Sequence, residues 1–270
     1  MIRAPSGYNK TKVLSDTGPH PRYHFHGYAG DQITGDSKFF DRSPLGNHAV
    51  RGANLSDAQM LGSSGYAATT NPVSGATDTS LRIPNLNFDY AGGEKLVIYW
   101  LGKVNAEAGP ASLLGDGYTA TYPGVRVRVN TNMTLQLVVY DVDNGGGVFG
   151  GSTSGTIADG TLQSFALVLD GAAKKYCMWS NDEVEAAFGG AYLSFGSGTA
   201  VDTRNSNTFQ IGSAQPSAAG SAAEGTQVYT RALHIIRQSA TDTVPPVSVL
   251  TSAFKALRAN PDKPILGSAF

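Results

Sequence analysis

The stretch from Leu162 to Phe188, LQSFALVLDGAAKKYCMWSNDEVEAAF, constrains this chain more than any other. It reads as three consecutive antiparallel strands joined by two tight turns. Phe165, Leu167 and Leu169 alternate onto one face. Asp170-Gly171 and Asn181-Asp182 supply turn chemistry, because Gly reaches positive φ without steric cost and Asn and Asp tolerate it better than most residues. Between and after the turns, Tyr176 and Met178 alternate with Cys177 and Trp179, and Val184, Ala186 and Phe188 alternate with Glu183 and Glu185.

Composition narrows the class. At 270 residues the chain is long enough to bury a core, as one large sandwich or two small domains. Apolar residues make up 41%, charged residues only 15%, and there are 33 glycines, which together favour an all-β protein with many turns. A net charge of -1 argues against nucleic-acid binding, since neutralising phosphates needs clustered Lys and Arg. Cys177 is the sole cysteine, so the chain forms no internal disulfide and has no C-x-x-C site; on a predicted strand it is expected to be packed and unreactive. The start MIRAPSGYNK has no apolar core of a signal peptide, and no apolar run approaches the roughly 20 residues of a membrane helix. The expectation is a protein made in the cytosol, not secreted by a signal peptide, with no membrane partner.

Along the chain, residues 1–35 are rich in Pro, Gly, Tyr and His without a clear period and read as an extended arm. His24 and His26 would share one face of it, but no carboxylate stands at useful spacing, which favours a packing or partner-contacting arm over a metal site. Phe39 to Ala49, FFDRSPLGNHA, reads as a turn cluster in which Asp41 and Ser43 bond nearby backbone amides. Ser80 to Pro84 is a short, edge-like strand ended by proline. Glu94 to Val104 is apolar on both alternating sets, so it is expected mid-sheet with something covering its outer face. Val125, Val127 and Val129 pair with Leu135, Leu137 and Val139 in a hairpin around Asn130-Thr131-Asn132, with Arg126 and Arg128 facing out as a solvated or partner-facing surface.

Two apparent motifs share the loop after that hairpin. Gly145, Gly147 and Gly150 spell G-x-G-x-x-G, but STSGT follows where a dinucleotide site needs a helix N-terminus. Asp141 and Asp143 begin like a calcium loop and are the candidate metal ligands, yet the later acidic ligand of an EF-hand is absent, and a glycine-rich hairpin loop is the simpler reading. After Pro245-Pro246, Val247, Leu250, Phe254 and Leu257 fall at helical spacing and Asn260-Pro261 ends the pattern. That helix is expected to pack on the outer face of the two-sided strands.

Several of these segments carry a family resemblance. The 162–188 run, the cluster Asp41, Ser43, Gly46, Asn47 and His48, the strand FQIG at 209–212, and QVYTRAL at 227–233, with Thr230 where Asn is usual, fall in one order. Together they resemble laminin-G-like domains of the concanavalin A-like lectin/glucanase superfamily, over most of the chain from Asp41 to Leu233. The resemblance implies an all-β fold: a two-sheet antiparallel jelly-roll sandwich over residues 36–240, preceded by the arm at 1–35 and followed by a helix and tail at 241–270. Phe165, Leu167, Leu169, Val184, Phe188, Phe209 and Ile211 are its predicted core. It also implies that calcium, where one is held, sits in a loop such as the one bearing Asp141 and Asp143. Glucanases of the superfamily carry E-x-D-x-x-E on one strand, and no such string occurs here. Asp182-Glu183-Val184-Glu185 is read as a turn and strand with Val184 inward and both glutamates outward. With no G-x-S-x-G and no H-E-x-x-H, the chain is expected not to be an enzyme.

Two functional readings follow. A lectin would use Tyr118, Tyr122 and Phe149 as aromatic platforms, with Asp and Asn side chains bonding sugar hydroxyls. A structural component would lock onto neighbours through Tyr8, Tyr23, Phe25, Ile265, Leu266 and Phe270, because ordering an extended segment costs about 1 to 2 kcal/mol per residue that sparse side chains do not offset alone. Laminin-G-like lectins of bacteria are usually exported, whereas the related capsid-decorating and tail proteins of phages need neither export signal nor disulfide. The resemblance therefore implies a non-enzymatic virion protein, assembled in the host cytoplasm with other virion proteins and copies of itself. A carbohydrate-binding module for host-surface glycans is the alternative.

Overall fold

The computed structural model describes residues 22–26, 38–39, 41, 43, 45, 47–52, 67–69, 80–84, 86, 88–90, 92–106, 111–117, 124–140, 147–157, 160–185, 192–194, 209–212 and 226–261. In chain order the strands are β1 (Arg22–His26), β2 (Lys38–Phe39), β3 (Ala49–Arg51), β4 (Ala67–Thr69), β5 (Leu81–Ile83), β6 (Lys95–Ala106), β7 (Ala111–Gly115) and β8 (Gly124–Val129). They continue as β9 (Thr134–Tyr140), β10 (Gly147–Thr156), β11 (Gln163–Asp170), β12 (Lys175–Ser180), β13 (Glu183–Val184), β14 (Leu193–Ser194), β15 (Phe209–Ile211) and β16 (Thr226–Gln238). One helix, α1 (Val247–Ala259), follows the last strand.

Two eight-stranded sheets, antiparallel at every pairing, form the sandwich that the sequence predicts. The first runs β1-β16-β6-β11-β12-β13, with β14 also on β12 and β4 also on β16; the second runs β10-β9-β8-β7-β15-β5-β3-β2. Alternation along β6 decides how the layers stack. Leu96, Ile98 and Trp100 sit opposite Leu169, Leu167 and Phe165 of β11 and face the interior. Val97, Tyr99 and Leu101 point the other way, where Tyr99 stacks on Phe254 of α1 with ring centroids 5.5 Å apart. Both sets are buried, so this strand is enclosed on both faces as its sequence requires.

The helix earns its place by packing. No side chain caps its N-terminus at Pro246, and isolated helices of this length are marginal in water. Val247, Leu250, Ala253, Phe254 and Leu257 are buried against the first sheet, and Phe254 meets Trp179 edge-on at 5.0 Å. The Trp179 indole N–H donates to Thr251 Oγ1 at 2.8 Å, and that hydroxyl donates to the Val247 carbonyl at 2.8 Å.

The meander forms as read, with one change of device. Asn181 and Asp182 take φ of 50° and 65°, a two-residue turn that sets Ser180 opposite Glu183. At the other turn the left-handed residue is Lys174 at φ 53°, not Gly171. Gly171 serves close packing instead, since a Cβ there would lie 2.7 Å from the Cβ of Tyr90. Phe165, Leu167, Leu169, Phe209 and Ile211 are fully buried as predicted, Val184 is half-buried, and Phe188 lies outside the described residues.

Four expectations are corrected. β5 is not an edge strand: it pairs with β15 on one side and β3 on the other, and Pro84 only ends it. Arg126 is 3% exposed, not solvated, and its guanidinium lies over the Tyr140 ring. Glu185 does not point outward with Glu183; it is buried, and its N–H donates to the Met178 carbonyl at 3.0 Å. Within the expected extended arm, Arg22–His26 is a strand of the protein's own first sheet, registered against Ala232 to Ile236 of β16.

Replacing Phe254 with Ala removes a ring held between Tyr99 and Trp179. The expected loss is about 3 to 5 kcal/mol of unfolding free energy, measured by urea titration followed through tryptophan fluorescence.

Candidate functional site

The second sheet presents one face to the core and the other outward. Val125, Val127, Val129, Leu135, Leu137 and Val139 are buried in the core, which puts Arg126, Arg128, Gln136, Val138 and Tyr140 on the outer face by alternation. The strand registers join these residues into a single row. Arg82 pairs with Gln210, Gln210 with Gly115, Gly115 with Arg126, Arg126 with Val138, and Val138 with Phe149. At the other end Val50 pairs with Arg82 and Lys38 with Val50. The row crosses every strand of the sheet.

Its side chains are held in place. The Arg126 guanidinium lies 5.5 Å from the centre of the Tyr140 ring, and its Nη2 donates to the Tyr140 hydroxyl at 2.9 Å. Arg128 Nε donates to Gln136 Oε1 at 2.6 Å. Gln210 Oε1 accepts from the Ser80 hydroxyl at 2.7 Å. Arg126 and Gln210 are buried, while Arg82, Arg128, Gln136 and Tyr140 are half-buried, so a fixed polar floor is bordered by groups that reach solvent.

Beside the middle of the row, at one end of β7 and β8, the chain is pinched. A Cβ on Gly117 would lie 2.3 Å from the Gly124 carbonyl carbon, so only glycine lets the segment between them leave and return through this neck. Asp116 closes the neck: its Oδ1 accepts from Val125 N–H at 2.8 Å, and its own N–H donates to the Val125 carbonyl at 2.9 Å. Gly124 pairs with Tyr140, and Tyr140 with Gly147, so the stems of segments 118–123 and 141–146 stand side by side at this end. Tyr118, Tyr122, Asp141 and Asp143 themselves lie outside the described residues, as do Tyr8, Ile265, Leu266 and Phe270. Phe149 lies on β10 in the row, and Tyr23 and Phe25 lie on β1. Among the described residues no group of three or more His, Cys, Asp or Glu is placed to hold a metal ion.

Beside the neck the Asp41 cluster forms the turn expected of it. The Asp41 carboxylate accepts from Ser43 N–H at 2.9 Å, the Ser43 hydroxyl at 2.8 Å and Asn47 N–H at 3.0 Å. The Asn47 side-chain amide donates to the Pro84 carbonyl, tying the turn to the end of β5. These contacts use the carboxylate for structure.

Two buried titratable groups frame the sandwich with opposite sign. Burial raises the Asp116 carboxyl to about 7, well above its usual value, against the opposing pull of its backbone hydrogen bonds. Burial lowers His234 to about 3, with its hydrogen bond to the Pro261 backbone opposing; its ring meets the Tyr99 edge at 6.2 Å. Cys177 is buried and its thiol is pushed up to about 12, consistent with a packed, unreactive side chain. The sequence reading missed Arg82, Gln210 and Tyr140 as members of one face. Alternation within GVRVRV and FQI marks them, but only the strand order places them side by side.

No family model matches the sequence, and no curated protein matches it. Solved structures do. A sialidase of Trypanosoma rangeli, solved as a covalent intermediate with 2,3-difluorosialic acid, aligns over 90% of this chain with TM-score 0.56 and 12% identity. The likeness is one of fold. The same enzyme in complex with sialic acid aligns over 87% of this chain with TM-score 0.53 and 12% identity. In both alignments the chain spans about a third of the sialidase, 33% of its length. The CBM40 module of a Ruminococcus gnavus sialidase, bound to α2,3-sialyllactose, aligns over 60% of this chain and 83% of its own, with TM-score 0.45 and 14% identity. The likeness of fold is to a two-sheet antiparallel β-sandwich.

The Asp116 carboxyl titrates higher folded than unfolded, so its contribution to stability is full below the unfolded value and is lost as pH rises through about 7. Asp116→Asn keeps an acceptor for Val125 N–H without the charge. Its stability relative to the parent is expected to rise by up to about 1.4 kcal/mol per pH unit between pH 4 and 7, read from denaturation midpoints across pH. His234 acts in the other direction: its contribution is full above about 6.5 and is lost as pH falls toward about 3.

Proposed function

We propose that the protein is a carbohydrate-binding module whose glycan lies on the outer face of the second sheet. One observation carries this reading: the unbroken row from Arg82 through Gln210, Gly115 and Arg126 to Val138, with Tyr140 and Gln136 beside it. Sugars present rings of hydroxyls on an apolar body, and they are held by planar donors and acceptors fixed on a rigid surface together with aromatic faces. The members that reach solvent, Arg82, Arg128, Gln136 and Tyr140, supply both. The stem of the segment bearing Tyr118 and Tyr122 adjoins the row beside Gly115 and Arg126, where those rings would add to it.

The reading is of binding without catalysis. Glu183 pairs with Lys255 of α1, on the helix-covered side, and Glu185 is buried, so the two glutamates do not flank a cleft. Asp116 has the raised pKa of an acid catalyst, but it is fully enclosed and holds the neck of a loop. A virion protein that docks through its arm and tail, the main reading of the sequence, is the second proposal; β1 belongs to the protein's own sheet, which weakens the motive for it over those five residues.

Titration calorimetry of the full chain against an oligosaccharide panel tests the reading. Binding of at least one glycan is expected, weakened about tenfold by Tyr140→Ala and by Gln136→Ala, each a half-buried residue whose loss leaves the core intact. The same glycans are expected to stay unhydrolysed on prolonged incubation. Binding that survives both substitutions would move the site off this face.

A further inference from the structure

A sheet edge is an unpaired row of N–H and C=O groups that invites another strand, so a stable β-sandwich blunts its edges. Among the described residues the edges are β10 and β2 on the second sheet and β1, β4, β13 and β14 on the first. Most are blunted. β10 is long but breaks register twice, between Phe149 and Gly151 and between Ser152 and Thr156, and such bulges twist an edge away from a regular partner. β2, β13 and β14 have two residues each and β4 has three. β1 is different. Its five residues, Arg22–His26, pair with Ile236 to Ala232 of β16 without a shift, and they include neither proline nor lysine. Among the described residues no strand pairs with the other side of β1.

The sequence of that edge points to its occupant. RYHFH reads nearly the same in both directions about His24: an aromatic residue at 23 and at 25, then arginine at 22 and histidine at 26. An antiparallel partner runs in reverse, so a strand with this symmetry matches a second copy of itself about a twofold axis. In that register Tyr23 stands opposite Phe25 of the second copy, Phe25 opposite Tyr23 of the second copy, and the two His24 residues opposite each other. Aromatic pairs directly across antiparallel strands are among those that stabilise a sheet. Tyr23 and Phe25 are registered with Ile235 and Leu233, both fully buried, so the aromatic pairs continue the core face of the first sheet.

We infer that two copies of this chain join edge to edge through β1, antiparallel and centred on His24, so that their first sheets run on as one. The contact is isologous: each copy offers the same strand to the other, and the association stops at two and does not grow into a fibre. It involves no residue of the second sheet and stands independently of the carbohydrate reading.

The test begins with the unaltered full chain, by sedimentation velocity over a concentration series, where a reversible monomer–dimer equilibrium without larger species is expected. Register is then read with introduced cysteines, against a chain whose own Cys177 is buried. Opposed positions on antiparallel strands bring Cα atoms to about 4.5 to 5.5 Å, within reach of a disulfide. Under mild oxidation His24→Cys is expected to form a covalent dimer by itself. Arg22→Cys and His26→Cys are each expected to stay uncross-linked alone and to cross-link when mixed, because those two positions meet only between copies. His24→Lys sets two ammonium groups opposite each other and is expected to weaken the dimer about tenfold, with circular dichroism confirming the fold. A chain that stays monomeric throughout, or assembles without limit, overturns the inference. A dimer that cross-links at none of these positions and is indifferent to His24→Lys overturns β1 as the surface. Cross-linking of Arg22→Cys alone overturns the twofold at His24.

Discussion

The packing of Phe254 between Tyr99 and Trp179 is the contact on which the arrangement of the molecule depends. A sheet whose central strand is apolar on both sides cannot leave one side in water, and the sandwich supplies only one cover. The helix is the second cover. It occupies the outer face of the first sheet, and among the described residues no helix packs on the second. On the outer face of the second sheet alternation places Arg82, Gln210, Arg126 and Arg128.

The helix is also fastened by charge. Asp182, in the left-handed turn of the meander, accepts from the Ser164 hydroxyl at 2.6 Å and from the Tyr99 hydroxyl at 3.1 Å, and its other oxygen faces Arg258 at 3.5 Å. Arg258 also reaches Asn181 Oδ1 at 3.0 Å and the Ser164 hydroxyl at 3.2 Å. The turn chosen by the sequence for its backbone conformation thus carries a side chain that links three elements. Burial raises the Asp182 carboxyl above its usual value despite these partners, so its charge is held at some cost. Arg258 in the last turn of α1 complements the helix dipole as well.

Much of this is legible in the sequence, for local reasons. The meander, the Asp41 turn, the two-sided β6 and the covering helix are written in short-range alternation, turn residues and helical spacing. What was not legible depends on strand order. Arg126 looked solvated because its neighbours in sequence say nothing of the strands beside it, and β5 looked like an edge because it is short and ends in proline. The site is the extreme case: Gln210 and Arg82 are neighbours across strands separated by more than a hundred residues of chain. Glu185 shows the same limit, since alternation after a turn predicts an outward side chain only when the far face is open to water.

The long strand β16 has β6 on one side along nearly its whole length, and on the other it is covered by two short strands placed end to end. β4 takes Val228 to Thr230, and β1 takes Arg22's partner Ile236 back to Ala232. Sheet edges are templates for further strands, and here a contribution from early in the chain seals half of one. A chain beginning after residue 26 would expose the backbone of Ala232 to Ile236 as an open ladder. Such a shortened form would have gained a sticky margin, ready to accept an extended segment from any neighbour, so proteolytic loss of the first residues would be a route from a sealed sandwich to one that polymerises.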